Sequence, residues 1–182
     1  MKYLLTGEQS DRLNFRIVDQ SYFKYWIDFF NHPDTARYLG MQDIGTPHEQ
    51  CEEWFRLVEE RYRNELGGMN ALIDKNTGLF VGQCGLLVQD IDGQKELEIG
   101  YSILPRFWNL GYATEAAVKC KDFAFQNDLA DSLISIISIE NIKSEKVAIK
   151  NGMTKTRQTL FRKMSVNIFR IDRPSWLNSL NK

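Results

Sequence analysis

The stretch Arg106-Phe-Trp-Asn-Leu-Gly-Tyr-Ala-Thr-Glu-Ala-Ala117 joins a strand-like run, residues 97–104, to a run with helical periodicity. A glycine-containing turn between a strand and a helix leaves backbone N–H groups unpaired and pointing outward. These groups, together with the positive end of the helix dipole, attract a phosphate or a pyrophosphate. The stretch therefore predicts an anion-binding loop.

Two common phosphate-binding motifs do not fit this loop. A dinucleotide site needs three glycines in G-x-G-x-x-G near the first strand of a βαβ unit, whereas only Gly111 is present here, past the middle of the chain. A P-loop needs G-x-x-x-x-G-K-[ST], and the sequence has no such run. Another kind of phosphorylated ligand is indicated.

Composition predicts one globular domain spanning residues 1–182. With 43% hydrophobic and 26% charged residues, 182 residues can bury a full core. The net charge of −1 predicts neither a nucleic-acid partner nor an anionic membrane surface, and Arg61 and Arg63 are interpreted as a solvated helix face. We expect buried thiols at Cys51, Cys84 and Cys120. Without a signal peptide or a bilayer-spanning run, the expected location is the cytoplasm.

Hydrophobic periodicity and turn signals predict a mixed order of helices and strands. Thr46-Pro47-His48-Glu49 is a capping box with proline at the first helical position, and its helix is expected to run to Gly67-Gly68. Asp34 is expected to cap a short helix, and Asp92-Gly93 signals a hairpin. The predicted strands are 13–18, 69–74, 79–89, 96–104, 133–139 and 164–171. The predicted helices are 22–30, 35–38, 47–66, 111–125 and 144–151.

The run Phe107–Ala116 resembles the acetyl-CoA-binding motif of the GNAT N-acetyltransferases. It is most similar to the branch that contains the RimJ/RimL ribosomal-protein acetyltransferases, which usually reads aromatic-Trp-Gly-x-Gly-Tyr-Ala-Thr-Glu-Ala. Asn109 stands where that branch usually has a glycine. Because asparagine tolerates the left-handed backbone conformation better than other non-glycine residues, we expect the turn to be kept.

Four further segments resemble this branch in the same order: 11–16, 81–86, 98–101 and 141–153. The resemblance therefore runs nearly from end to end. It implies a mixed α/β GNAT fold, with a mostly antiparallel twisted sheet of six to seven strands and helices on both faces. It also implies a pair of strands that splay apart to admit acetyl-CoA.

The resemblance implies acetyl-CoA as the co-substrate and assigns residues to it. The main-chain amides of the loop would bind the pyrophosphate, and the end of the strand 101–104 would hold the pantetheine arm and the thioester. Asn141 could contact that arm or cap the following helix, and both roles are compatible. The cofactor-binding residues expected are Ile103, Leu104, Trp108, Asn109, Leu110, Gly111, Tyr112, Ala113, Thr114, Asn141 and Ser144.

The chemistry implied is direct attack of an amine on the thioester, with no acyl-enzyme, and the catalytic candidates are few. Ser144 could protonate the leaving thiolate or hold a water that does so, or it could be an ordinary first-turn serine. Glu98 could act as a general base through water, or it could pair with a neighbouring side chain. The same two alternatives apply to Glu96, which lies on the same strand face. Ala148 stands where other GNAT branches have a tyrosine acid. His32 and His48 lack ligand-like spacing, so no metal is expected.

The acceptor is expected to be an amine, and energetics favour an α-amine. Deprotonating an α-amino group of pKa ~8 at neutral pH costs ~1 kcal/mol, against ~4–5 kcal/mol for a lysine-like amine of pKa ~10.4. The core strands contain no histidine to serve as a strong base. We therefore expect the acceptor to be a protein or peptide N-terminus. The protein itself is expected to be a monomer or a homodimer. The alternatives are a polyamine or other small amine, a non-catalytic CoA-binding module, and a nucleotide-binding protein.

Overall fold

The computed structural model describes residues 2–181 and contains seven strands, six α-helices and two short 3-10 helices within them. The strands are β1 (Leu13–Ile17), β2 (Gly67–Asp74), β3 (Phe80–Ile91), β4 (Gln94–Ile103), β5 (Ser132–Ser138), β6 (Thr154–Phe161) and β7 (Met164–Asp172). The helices are α1 (Phe23–Phe30), α2 (Thr35–Tyr38), α3 (Pro47–Arg63), α4 (Tyr112–Gln126), α5 (Ile142–Lys150) and α6 (Arg173–Leu180).

The strands form one mixed sheet in the order β1-β2-β3-β4-β5-β7-β6. Every neighbouring pair is antiparallel except β4 and β5, which run parallel. Helices α4, α5 and α6 pack on one face of the sheet, and α1, α2 and α3 pack on the other. This confirms the predicted fold class: a mostly antiparallel seven-stranded sheet with helices on both faces.

The parallel pair β4 and β5 separates soon after it forms. Its pairing in the described chain is confined to Glu98 and Ile134. Just beyond this point the buried Ser135 hydroxyl donates to the Ile99 carbonyl at 2.9 Å, so a side chain replaces the next main-chain bond. The remaining main chain of β4 on this side is left for another partner, as expected for the splayed strand pair.

Two elements are absent from the sequence prediction. β6 is an edge strand whose residues are mostly exposed, so it lacks the alternating apolar pattern that identifies a strand. α6 begins directly after β7, where the Asp172 carboxylate accepts from the Ser175 N–H at 2.8 Å. Only Trp176 is buried in α6, and one buried residue gives no helical periodicity to recognise.

Some predicted boundaries need correction. α3 has the predicted Thr46–Glu49 capping box but ends at Arg63, because Gly67 already starts β2. Gly67 has φ +69°, and a Cβ there would lie 2.1 Å from the Leu86 carbonyl oxygen, so this glycine serves the strand pairing. Asp34 precedes α2 without the expected capping bond, and its carboxylate pairs with Arg37 instead, at 2.9 Å.

Candidate active site

The loop before α4 presents a row of free amides. Asn109 has φ +64° and Gly111, the residue before the first helical turn, has φ +84°, which confirms that asparagine keeps the left-handed turn. The Glu115 N–H is the first to pair, with the Gly111 carbonyl at 3.1 Å. Within residues 2–181, the N–H groups of 109–114 have no acceptor. Such a row of amides, together with the helix dipole, has the chemistry to bind a diphosphate.

The loop is clamped to β1 by an ion pair that sequence reasoning did not identify. The Glu115 carboxylate accepts from the Arg12 guanidinium at 2.6 Å, and from the Arg12 N–H and the Ser10 hydroxyl, each at 2.7 Å. Arg12 also donates to the Leu110 carbonyl at 3.0 Å. Burial opposes the ionisation of Glu115, but these hydrogen bonds outweigh it and lower its pKa. Arg12 and Glu115 both lie in segments that resemble family motifs, but no feature of the sequence indicates that they contact each other.

Helix α4 approaches the sheet closely through small side chains. Ala116, Ala117 and Cys120 are fully buried in the core that α4 forms with the sheet. The sulfur atoms of Cys84 and Cys120 lie 3.5 Å apart, and burial raises the pKa of the Cys120 thiol well above its usual value. All three cysteines are free and buried, as predicted.

Trp108, the tryptophan of the motif, packs against the end of β4. The Trp108 indole N–H donates to the Ile103 carbonyl at 2.6 Å, the Lys143 ammonium lies 3.9 Å from the centre of the ring, and His32 packs edge-on against it. Leu104, expected to bind the pantetheine arm, is fully buried with its N–H bonded to Val81 and its carbonyl accepting from the Phe107 N–H. The main-chain N–H of Leu104 is therefore not available to a ligand.

The start of α5 faces the gap between the strands. The Asn141 side chain accepts from the Ser144 N–H at 3.1 Å, so its helix-capping role is observed. The Tyr101 hydroxyl donates to the Ser144 carbonyl at 2.7 Å, which ties α5 to β4 across the gap, and burial raises the pKa of Tyr101. Ser144 itself is half-buried and lines the cavity described below.

The two strand carboxylates have different surroundings. Glu96 pairs with Arg170, which matches the neighbour-pairing alternative. Glu98 is 9% exposed and accepts from the Gln89 amide at 2.6 Å. Burial raises the pKa of Glu98, opposed by the Gln89 hydrogen bond and by the positive charge of Arg61. Glu98 is thus a buried carboxylate whose pKa lies above its ordinary value.

Arg61 corrects the expectation of a solvated helix face. Its guanidinium is half-buried and donates to the carbonyls of Leu66 at 2.8 Å and Val88 at 2.7 Å. Arg63, by contrast, is exposed as expected. The spacing of the two arginines along α3 does not distinguish them, since only the meeting of α3 with the ends of β2 and β3 buries one.

A cavity of about 740 Å³ passes through the gap between β4 and β5 and reaches both faces of the sheet. It brings together most of the predicted site, and its lining contains neither Leu104 nor Leu110, whose side chain is 53% exposed. A diphosphate at the free amides and a linear arm in the gap fit this shape, as acetyl-CoA requires. The predicted residues that line it are Glu98, Ile103, Trp108, Asn109, Gly111, Tyr112, Ala113, Thr114, Asn141 and Ser144.

Among residues 2–181, no three His, Cys, Asp or Glu side chains group as a metal ion would need. No helix in that range combines the length and the apolar character needed to cross a membrane.

Known proteins are similar to this chain in sequence and in fold. The acetyltransferase (GNAT) domain family matches residues 12–154. The uncharacterised protein YkkB of Bacillus subtilis is 38% identical over 149 residues, covering 79% of this chain and 83% of YkkB. An acetyltransferase from Agrobacterium tumefaciens has a similar structure, with TM-score 0.76, 23% identity, and coverage of 93% of this chain and 95% of the other.

A spermidine N-acetyltransferase from Vibrio cholerae, solved with CoA and spermine, also has this fold, with TM-score 0.71, 17% identity, and coverage of 92% of this chain and 99% of the other. The family match spans most of the chain and includes the amide-rich loop and the splayed strands. The chain therefore belongs to the GNAT acetyltransferase family, as an acetyl-CoA-dependent N-acetyltransferase.

Proposed function

We propose that the protein transfers the acetyl group of acetyl-CoA to the N-terminal α-amino group of a peptide or protein. The observation that carries this proposal is the cavity through the β4–β5 gap. It joins the free amides of the α4 loop, on one face of the sheet, to the buried Glu98 carboxylate on the other. The motifs that resemble the RimJ/RimL branch support an N-terminal acceptor.

Residues on one face of the sheet bind the cofactor, and Glu98 on the other face deprotonates the acceptor amine. The loop amides bind the diphosphate, and the unpaired main chain of β4 orients the arm and thioester. Ser144, at the first turn of α5, donates a proton to the leaving thiolate or holds the water that does. Glu98 removes a proton from the amine through water, and burial, which raises its pKa, makes it a stronger base than an exposed carboxylate.

The charge of the cavity argues against a polyamine. A polycation needs clustered carboxylates, but the acidic residues lining the cavity are Glu60 and Glu98. Glu60 is already paired with Arg56 at 2.8 Å. Arg61 and Arg162 line the cavity as well, and their charges repel a polycation. The similarity to a spermidine N-acetyltransferase nevertheless makes polyamines the comparison that any test must include.

The role of Glu98 is tested by Glu98→Gln. The wild-type value of kcat/KM should rise with pH as Glu98 ionises, whereas the variant should lose this acidic limb and fall about 100-fold or more. Glu96→Gln is the matched control, because Glu96 lies on the same strand face but pairs with Arg170 and does not line the cavity. A pH–rate profile left unchanged by Glu98→Gln would remove Glu98 from the mechanism.

Ser144→Ala distinguishes catalysis from mere binding. If Ser144 or its water protonates the thiolate, the variant should lower kcat while the affinity for CoA stays the same. The helix cap is unaffected, because Asn141 bonds the Ser144 main chain and not its hydroxyl. An unchanged kcat would assign the proton to another group.

A further inference from the structure

Arg61 offers an unused donor to the acceptor side of the cavity. Its Nη2 atom is fixed by the Leu66 and Val88 carbonyls, which hold the guanidinium in one orientation. No hydrogen bond in the described chain uses its Nη1 atom, and no carboxylate in residues 2–181 lies within 4.0 Å as an ion-pair partner. Arg61 is therefore a pre-positioned cation without an anion.

Arg162 is the second cation on this side. It lies in the turn between β6 and β7, with φ +48°, and is exposed. Within the described residues it too forms no ion pair, whereas Arg157 on the same hairpin pairs with Asp92 at 2.6 Å. Both Arg61 and Arg162 line the cavity that contains Glu98.

Neither arginine is simply the counter-charge of Glu98. The Glu98 carboxylate accepts from Gln89, and no arginine nitrogen approaches it to ion-pair distance in the described structure. Both guanidinium groups are nevertheless close enough to influence its ionisation. A site with a carboxylate at its inner end and two unpaired guanidinium groups beside it can hold an amine and a neighbouring carboxylate together.

We propose that the acceptor is an acidic N-terminal peptide, whose α-amine lies at Glu98 and whose carboxylate, within the first few residues, is bound by Arg61 and Arg162. This inference rests on the proposed function, since it specifies the sequence next to the acetylated amine. The three lysines that line the cavity belong to α5, on the cofactor face of the sheet, and are left to the phosphates of acetyl-CoA: Lys143, Lys146 and Lys150.

The test compares acetylation of matched peptides that differ only by Asp, Asn or Lys at the second and third positions. We expect kcat/KM to be at least tenfold higher for the Asp peptides than for the Asn peptides, and the preference to weaken with added salt. Arg162→Gln should lose this preference, and Arg162→Glu should favour the Lys peptides. Arg157→Gln, on the same hairpin, should behave as the wild type. Arg162 is the residue to substitute, because Arg61 also donates hydrogen bonds to the main-chain carbonyls of Leu66 and Val88.

The outcomes separate this inference from the proposed function. Equal acetylation of Asp and Asn peptides, or a preference that survives in Arg162→Glu, would overturn the acidic-acceptor inference while leaving an N-terminal acetyltransferase. Turnover of spermidine with no turnover of any peptide would overturn the proposed function as well.

Discussion

At the scale of single residues, the site depends on backbone conformation more than on side chains. Asn109 and Gly111 both adopt the left-handed conformation, and this turns the amides of 109–114 outward. A side chain at Gly111 would meet only the end of Arg12, at 3.3 Å, so space is not what limits this position. What favours glycine at this position is the left-handed φ of +84°, which other residues rarely adopt.

Gly111→Asp should weaken CoA binding at least tenfold. A carboxylate about 4 Å from the diphosphate costs about 1–4 kcal/mol, depending on the local dielectric. Gly78→Asp is the matched control: Gly78 also has a left-handed φ, +70°, with open space around it, in the turn between β2 and β3. Isothermal titration of CoA into both variants gives the comparison. Equal affinities in the two variants would show that the loop does not bind the diphosphate.

The sequence predicted those features of single residues that depend on neighbours close by in the chain. The left-handed Asn109 and the cap from Asn141 to Ser144 follow from residue types a few positions apart. The clamp between Arg12 and Glu115 joins residues 103 positions apart, and no local pattern reports such a contact. The hydrogen bond from the Leu104 N–H to Val81 is likewise invisible to a local pattern, since Val81 lies on the neighbouring strand β3.

At the scale of elements, α4 is oriented by Glu115 in its first turn. This carboxylate binds two residues of the segment that leads into β1, so the helix that carries the amide row is fixed to the edge of the sheet. The folded protein lowers the pKa of Glu115. A lowered pKa means that the ionised form stabilises the fold, so this contribution is present above the unfolded pKa of ~4.3 and is lost as the pH falls through the folded value.

Glu115→Gln should lower the free energy of unfolding by about 1–3 kcal/mol at pH 7, because it removes a charged acceptor of three hydrogen bonds. The difference from wild type should shrink as the pH falls from ~5 to ~3, as wild-type Glu115 becomes protonated. Urea unfolding across this range measures it. Glu145→Gln controls for the helix dipole, since Glu145 also lies in the first turn of its helix, α5. A difference that is constant with pH would contradict the assigned role of Glu115.

The order of elements was predictable, except where an element has little buried surface. Strands β1 to β5 and β7 are marked by apolar runs and turn residues, and α3 by its capping box. β6 and α6 were missed because neither has a pattern of its own: β6 depends on pairing with β7, and α6 buries Trp176 alone.

At the scale of the whole molecule, the sheet separates the proposed cofactor-binding region from the proposed acceptor-binding region, and the gap between β4 and β5 connects the two. The face proposed to bind the cofactor has the free amides and α5, and the face proposed to bind the acceptor has Glu98, Arg61 and the β6–β7 turn. The motif resemblance implied the gap, but the charge of the acceptor face arises only from packing. The acceptor was therefore the least predictable part of the protein.

CoA should raise the melting temperature of the protein more than ATP or NAD at equal concentration. At 100 times its dissociation constant, a ligand that binds only the folded state stabilises it by ~2.7 kcal/mol, which for a chain of this size is about 5–10 °C. A thermal-shift series with the three ligands measures this. Greater stabilisation by ATP or NAD would favour a nucleotide-binding protein and contradict the fit of the cavity to CoA.

The most direct test of the account is turnover of acetyl-CoA, followed by release of the CoA thiol, with N-terminal peptides, polyamines and other small amines as acceptors. The account predicts saturable thiol release with peptides that have a free α-amine, and none with the same peptides blocked at the N-terminus. CoA binding without thiol release from any acceptor, or release with polyamines alone, would contradict it.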